Sequence, residues 1–311
     1  MSQVLVTGGA GYLGSVLVGR LLNAGHHVTV LDNLLYGQKS LLAYSGRPHF
    51  EFVAGDARDE RPLKELLKTH DTVAALAAIV GAGACDREPE EARSVNFEAL
   101  ALLNRLRSPR QRVIYPCTNS GYGTKSGDLH CDEKTPLEPI TLYGRTKVSA
   151  ERELLNSPNT VSLRLATVFG PSPRLRLDLL VNDFVWRASK DGYLVIFEKD
   201  FKRNFVHIED IADCFLFCLE HFDEMKGEAY NVGLDDANIS KADLAMKIRE
   251  HLPSLYIHYA EIGQDLDRRN YIVSNDKIRR KGFSARRSLD EGIRDLIRLY
   301  QTMPRDGYRN A

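Results

Sequence analysis

Neither sign of charge is in surplus along this chain: Lys plus Arg number 42, and so do Asp plus Glu. With no net field, DNA or RNA is not expected as a main partner, although local basic patches remain open. Long apolar runs are missing too. None reaches the roughly 18 residues that a bilayer-crossing helix needs, and Met1-Ser2-Gln3 leads straight into Val4-Leu5-Val6 without a charged, cleavable export segment. No membrane partner and a cytoplasmic location are therefore expected. Cysteine is sparse and unpaired. Cys85, Cys117, Cys131, Cys214 and Cys218 form no C-x-x-C motif, so no metal site is expected and reduced thiols fit the cytoplasm. Cys214 and Cys218, one turn apart, read as small core residues. Internal repeats and low-complexity tracts are absent as well.

What is present is a rhythm. The 311 residues, 43% apolar, suffice for one large domain or two lobes. Short apolar runs predict strands at Val4–Val6, His27–Leu31, Phe50–Val53, Thr72–Leu76, Arg112–Tyr115 and Val161–Arg164. Between them, helical spacing predicts helices from Leu13 to Leu21 and over 60–68, 90–107 and 143–155. Strands alternating with helices imply a doubly wound parallel sheet, an α/β fold of Rossmann type with its crevice at the carboxyl ends of the strands. After Gly170-Pro171-Ser172-Pro173 the rhythm changes. A helix is expected around Leu179–Ala188 and short strands at 194–197 and 256–258. We divide the chain into a Rossmann-type domain, 1–169 with 204–222 returning to it, and a smaller mixed lobe, 170–203 with 223–311. The residues from Pro304 onward read as a frayed tail.

Two local patterns carry chemistry. Gly8, Gly11 and Gly14 stand between the first strand and first helix. Glycine there permits a tight turn and close approach of a pyrophosphate to the backbone, while the helix N-terminus stabilises the anion. Glycine spacing alone is weak evidence; the flanking strand and amphipathic helix supply the context it needs. Asp32 ends the second strand, where a carboxylate accepts the adenosine ribose hydroxyls and repels a 2′-phosphate, favouring NAD over NADP. Asp56, ending the third strand, stands where it can meet the adenine edge, though alone it is a plain turn residue.

The second pattern is Tyr143 and Lys147, four positions apart and so on one helix face. A free tyrosine titrates near pH 10. A neighbouring ammonium favours the phenolate, which can accept a hydroxyl proton as the carbon beneath loses hydride. Taken alone, the pair reads more readily as a solvated helix face; the glycine turn upstream reverses that reading. Thr118, after the fifth strand, offers a hydroxyl to bridge substrate and Tyr143, or it satisfies local backbone.

In these residues the chain resembles the extended short-chain dehydrogenases/reductases of the nucleotide-sugar epimerase and dehydratase type. The likeness also includes Leu76-Ala77-Ala78, Asn96, Tyr122-Gly123, Leu163-Arg164, Phe169-Gly170-Pro171, Arg203-Asn204-Phe205-Val206-His207 with Asp210, and Asp267-Arg268-Arg269. It implies NAD held by Gly8, Gly11, Tyr12, Leu13, Gly14, Asp32, Asn33, Asp56, Ala57, Leu76, Ala77, Ala78, Asn96, Tyr143 and Lys147. Asn96 would touch the nicotinamide ribose or a bound water. Catalysis would fall to Thr118, Tyr143 and Lys147. A nucleotide sugar would meet Thr118, Asn119, Ser120, Thr167, Asn182, Arg203 and Arg269, with Arg203 and Arg269 (or Arg268) clamping its diphosphate. Helices 90–107 and 143–155 resemble those that pair across a homodimer in this family.

A narrower likeness, over Tyr115–Gly123 and Ser172–Asn182, is to enzymes that oxidise GDP-linked manno-heptose at carbon 4 in bacterial capsule pathways. The departures are informative. Dehydratases of the family follow the threonine with Asp-Glu, whereas this chain has Asn119-Ser120, and an amide supplies no proton for expelling water. The 3,5-epimerases carry cysteine at the position of Ser120, and 4-epimerases commonly carry Asn at that of Thr167. The expected activity is oxidation at carbon 4 to a keto sugar. The alternatives are 4-epimerisation through the same ketone and, more remotely, a non-catalytic NAD-binding scaffold.

Overall fold

The computed structural model describes residues 1–124, 130–261 and 270–304. Its centre is a seven-stranded sheet in the order Glu228–Val232, Thr160–Leu165, Arg112–Thr118, Thr72–Ala75, Gln3–Thr7, His27–Asp32, Phe50–Ala54. Every pairing within it is parallel. The central strands are apolar on both faces because helices cover both. On one side, Val4, Val6, Val28 and Val30 pack with Leu17 and Leu21 of the helix Tyr12–Asn23 and with Phe215 of the helix Ile208–Glu220. On the other, Leu5, Val73 and Val113 meet Leu100 and Leu103 of the helix Ala99–Leu106 and Ala150 and Leu154 of the helix Leu142–Leu155. Cys214 and Cys218 are wholly buried in the first of these layers.

The six expected strands are all in this sheet. The seventh, Glu228–Val232, lies within the 223–311 span that we assigned to the second lobe, and it extends the large sheet beside Thr160–Leu165. Ile278 and Phe283 join the first core too, so that boundary is corrected. The returning segment 204–222 divides in two. Its helix, Ile208–Glu220, packs on Tyr12–Asn23, whereas the strand Lys202–His207 pairs with Thr167–Phe169 and Asn238–Ser240 in a separate three-stranded sheet.

That sheet, the paired strands Tyr193–Ile196 and Tyr256–Tyr259, and the helices Leu180–Lys190, Lys241–His251 and Leu289–Gln301 enclose a second core around Phe169, Phe184, Phe205, Leu244 and Leu296. Residues 305–311, expected as a tail, lie outside the described residues. Among the described residues, no helix is long and apolar enough to cross a membrane.

Candidate active site

The strand Gln3–Thr7 ends at the carboxyl edge of the sheet, and the glycine turn follows it. Gly8 has φ +72°, and a Cβ there would lie 2.6 Å from the Ala77 backbone nitrogen. At Gly14 it would lie 2.5 Å from the Gly8 carbonyl oxygen. Neither obstacle is a flexible side chain, so only glycine lets this turn nest against Leu76-Ala77-Ala78. The helix that follows begins after Gly11, with no side-chain cap and no acidic residue in its first turn. Its leading amides are left to an anion.

Asp32 ends its strand 7% exposed. Its carboxylate accepts from the amides of Ala10 at 2.9 Å and Leu34 at 2.8 Å, and from Gln38 Nε2 at 3.3 Å. Burial raises its pKa, and the two amides oppose that rise. Asn33 donates to Asp56 at 3.0 Å. Asp56 also takes the Arg58 guanidinium through Nε at 2.9 Å and Nη2 at 2.7 Å, and the Arg58 amide at 2.9 Å. Arg58 is the main reason that Asp56 titrates at about 2. These four bonds match what a carboxylate can accept, so Asp56 braces the rim of the cleft rather than offering a free acceptor to an adenine edge.

Opposite the turn, Thr141 caps the helix Leu142–Leu155 by accepting from the Gly144 amide at 3.1 Å. Tyr143 and Lys147 lie on its cleft side, and both line the same cavity as the glycine turn. Lys147 is 3% exposed, with its ammonium 4.2 Å above the Tyr115 ring. Burial lowers its pKa to about 8. One turn on, Glu151 accepts from Ser162 Oγ at 2.6 Å and pairs with Arg164 at 2.8 Å, and Arg164 reaches Tyr122 at 3.1 Å. This buried network ties the helix that carries Tyr143 and Lys147 to the sheet.

Thr118 ends its strand in the cleft wall. Its hydroxyl donates to Ser120 Oγ at 2.8 Å and accepts from the Ser120 amide at 3.1 Å, so it satisfies local backbone while the residue lines the cleft.

The cavity spans about 1220 Å³, above the roughly 300–1,000 Å³ of a site for one small ligand. Its wall includes Gly8, Gly11, Tyr12, Leu13, Gly14, Asp32, Asn33, Asp56, Ala57, Leu76, Ala77, Ala78, Thr118, Ser120, Tyr143, Lys147, Thr167 and Arg203. Among the described residues, three of those expected are not part of that wall. Asn96 sits in a π-helical turn, Ser94–Glu98, that sends its amide inward. Its Oδ1 accepts from the Ile79 amide at 2.7 Å, and its Nδ2 donates to the Ile79 carbonyl at 2.9 Å and to Thr146 at 3.3 Å. Asn96 therefore fastens the loop after Ala78 instead of facing a ribose.

Asn182, wholly buried, accepts from the Gly170 amide at 3.1 Å and donates to Tyr12 Oη at 3.2 Å and the Arg176 carbonyl at 2.9 Å. It is a latch behind the wall. Asn119 is 1% exposed, and neither end of its amide has a hydrogen-bond partner among the described residues. Arg268 and Arg269 lie outside the described residues.

The model of the NAD dependent epimerase/dehydratase family matches residues 4–233. The chain belongs to that family. A low-salt glycan biosynthesis protein of Haloferax volcanii is 28% identical over 96% of this chain and 98% of its own length. UDP-glucose 4-epimerase of Thermotoga maritima, solved with UDP-glucose, superposes with TM-score 0.85 at 25% identity, over 96% of this chain and 98% of that one. UDP-glucuronic acid 4-epimerase of Bacillus cereus, solved with UDP-glucuronic acid and NAD, gives TM-score 0.83 at 25% identity, over 96% and 99%.

As a member of the family, the protein is an NAD-dependent enzyme of the epimerase/dehydratase type. The site fits the cofactor on its own terms: a turn that admits only glycine, uncapped helix amides and a buried carboxylate at the next strand end. Motif reading missed other cleft residues. Lys241 and Tyr271 line the cleft and stand in no recognisable pattern. Arg174 and Arg176 fall in the Ser172–Asn182 stretch, where only their charge set them apart.

Proposed function

We propose that the protein oxidises carbon 4 of a nucleotide-linked sugar, with Tyr143 as the base. The observation that carries this is the placement of Tyr143 and Lys147, one turn apart, in the wall that also holds the glycine turn and Asp32. When bound, NAD supplies the hydride acceptor. The Tyr143 phenolic oxygen takes the proton of the C4 hydroxyl, and the Lys147 ammonium favours the phenolate. Thr118 turns its hydroxyl from Ser120 to bridge the substrate oxygen. Arg203, 3% exposed in the cleft wall, holds the substrate diphosphate, and the second lobe supplies the rest of the sugar-nucleotide site. GDP-linked manno-heptose is the proposed substrate, on the likeness over Tyr115–Gly123 and Ser172–Asn182, with the 4-keto sugar released. Dehydration is disfavoured, because Asn119 has no acidic proton to give and lies outside the wall.

A second reading, 4-epimerisation, returns the hydride to the other face of the ketone. Two solved relatives that bear the name 4-epimerase favour it. Following a panel of GDP-, UDP- and dTDP-sugars by NMR, with NADH followed by its near-ultraviolet absorbance, separates the two. A keto sugar with net NADH supports oxidation; a new hydroxyl configuration without NADH supports epimerisation. Tyr143→Phe should lower turnover by roughly 10²–10⁴-fold while NADH affinity holds; survival of turnover would refute the assignment. Pairing of two copies through the helices of 90–107 and 143–155 is likewise proposed, and light scattering after size-exclusion chromatography tests it.

A further inference from the structure

The segment from Ser172 to Leu179 crosses from the second lobe back over the dinucleotide half of the cleft, and it is tied down at several points. Ser172 Oγ donates to the Tyr12 carbonyl at 2.7 Å and lies 3.1 Å from Ser15 Oγ, both in the first turn of the helix behind the glycine turn. Tyr12 Oη donates to the Gly170 carbonyl at 2.7 Å, and Asn182 holds Tyr12 and the Arg176 carbonyl together. Arg176 is paired with Asp178 through two bonds and lies 3.5 Å from the Val80 carbonyl.

Arg174 is different. It lines the cleft, its guanidinium lies 5.0 Å over the ring of Tyr36, and its hydrogen bond is to the carbonyl of Leu175. Among the described residues, no carboxylate comes within salt-bridge distance of it. Burial and the charge of Arg176 both lower its pKa, as expected of a cation short of an anion.

Position names the missing anion. Ser172, two residues before Arg174, is fixed to the helix that receives a phosphate. Tyr36, under the guanidinium, is four residues past Asp32, which receives the ribose. The span between those points is where the diphosphate of the cofactor lies, and Thr7–Leu13 contributes backbone amides but no lysine or arginine. The geometry points to Arg174 as a clamp on the cofactor diphosphate, delivered by a strap, Ser172–Leu179, that retains the dinucleotide in the cleft.

The inference rests on this cleft as the NAD site and on no particular sugar, so it stands or falls separately from the proposed oxidation. The test measures equilibrium binding of NADH by fluorescence, of ADP-ribose by competition, and of GDP and UDP by calorimetry, with stopped-flow release of NADH. Charge-assisted hydrogen bonds of this kind make the expected loss in Arg174→Gln roughly ten- to a hundredfold for both NADH and ADP-ribose, mostly as faster release. Arg174→Lys should recover part of that loss, because it keeps the charge. GDP and UDP binding should not change.

Unchanged NADH and ADP-ribose affinity in Arg174→Gln would overturn the inference. So would a loss confined to GDP or UDP, which would assign Arg174 to the substrate diphosphate. An equal loss in Arg174→Lys and Arg174→Gln would overturn it as well, since packing rather than charge would then be responsible.

Discussion

Replacing Lys147 with methionine should make the cofactor-free protein more stable while it cripples turnover. The ammonium is 3% exposed and rests on the Tyr115 ring, and burial brings its pKa from 10.5 down to about 8. The unfolded chain thus holds this proton more tightly than the native one. Each tenfold in proton affinity is worth about 1.36 kcal/mol, so below pH 8 the charged lysine costs the fold on the order of 3 kcal/mol. Between pH 8 and 10.5 the unfolded state binds more protons than the native state, so wild-type stability rises with pH there and the penalty fades.

Methionine has a similar length and no charge to desolvate. Urea unfolding of both proteins without cofactor should give Lys147→Met an advantage of about 2–3 kcal/mol at pH 7, allowing for the lost cation–π contact, shrinking towards zero near pH 10.5. Turnover should fall by roughly 10²-fold or more, because the phenolate loses the ammonium one helical turn along from it. If Lys147→Met were less stable than wild type at pH 7, with a gap that did not move with pH, the ammonium would not be the burden described and the reasoning would fail.

Two further outcomes follow from the geometry. Gly14→Ala places a Cβ against the Gly8 carbonyl and Gly9 Cα, which cannot step aside, whereas a Cβ at Gly11 meets the Gly8 oxygen at 3.1 Å; NADH affinity should drop at least about tenfold for Gly14→Ala and less for Gly11→Ala, as fluorescence titration would show. Arg164→Ala strands the Glu151 carboxylate, whose side chain is 2% exposed, and should cost about 3–5 kcal/mol in urea unfolding, while Glu151→Gln with Arg164→Met should recover most of it.

Much of the site was legible in the sequence because its parts are local. The glycine turn lies within seven residues, Tyr143 and Lys147 within five, and Asp32 closes the strand after the first helix. Short-range spacing sets which residues share a turn or a helix face, and strand ends in a parallel sheet open on one edge. The strands were legible for the same reason, being short apolar runs, nearly all buried, although Phe50–Ala54 at the sheet edge is only partly covered. Glu228–Val232 escaped notice because a short run containing Asn231 signals nothing until Tyr230 and Val232 are seen against the first core.

Tertiary structure alone decided which polar residues face the cleft. Asn96, Asn119 and Asn182 have the chemistry of ligand contacts, yet a π turn, a buried 3₁₀ turn and a latch to Tyr12 send all three inward. Conversely, Arg174 looked like any basic residue on a loop. It enters the cleft on a segment that Ser172 tethers to Tyr12 and Ser15, more than 150 positions away along the chain, and spacing along a sequence holds no record of contacts so distant. Side-chain identity specifies what a group can do; the packing of remote elements specifies what it is placed to meet.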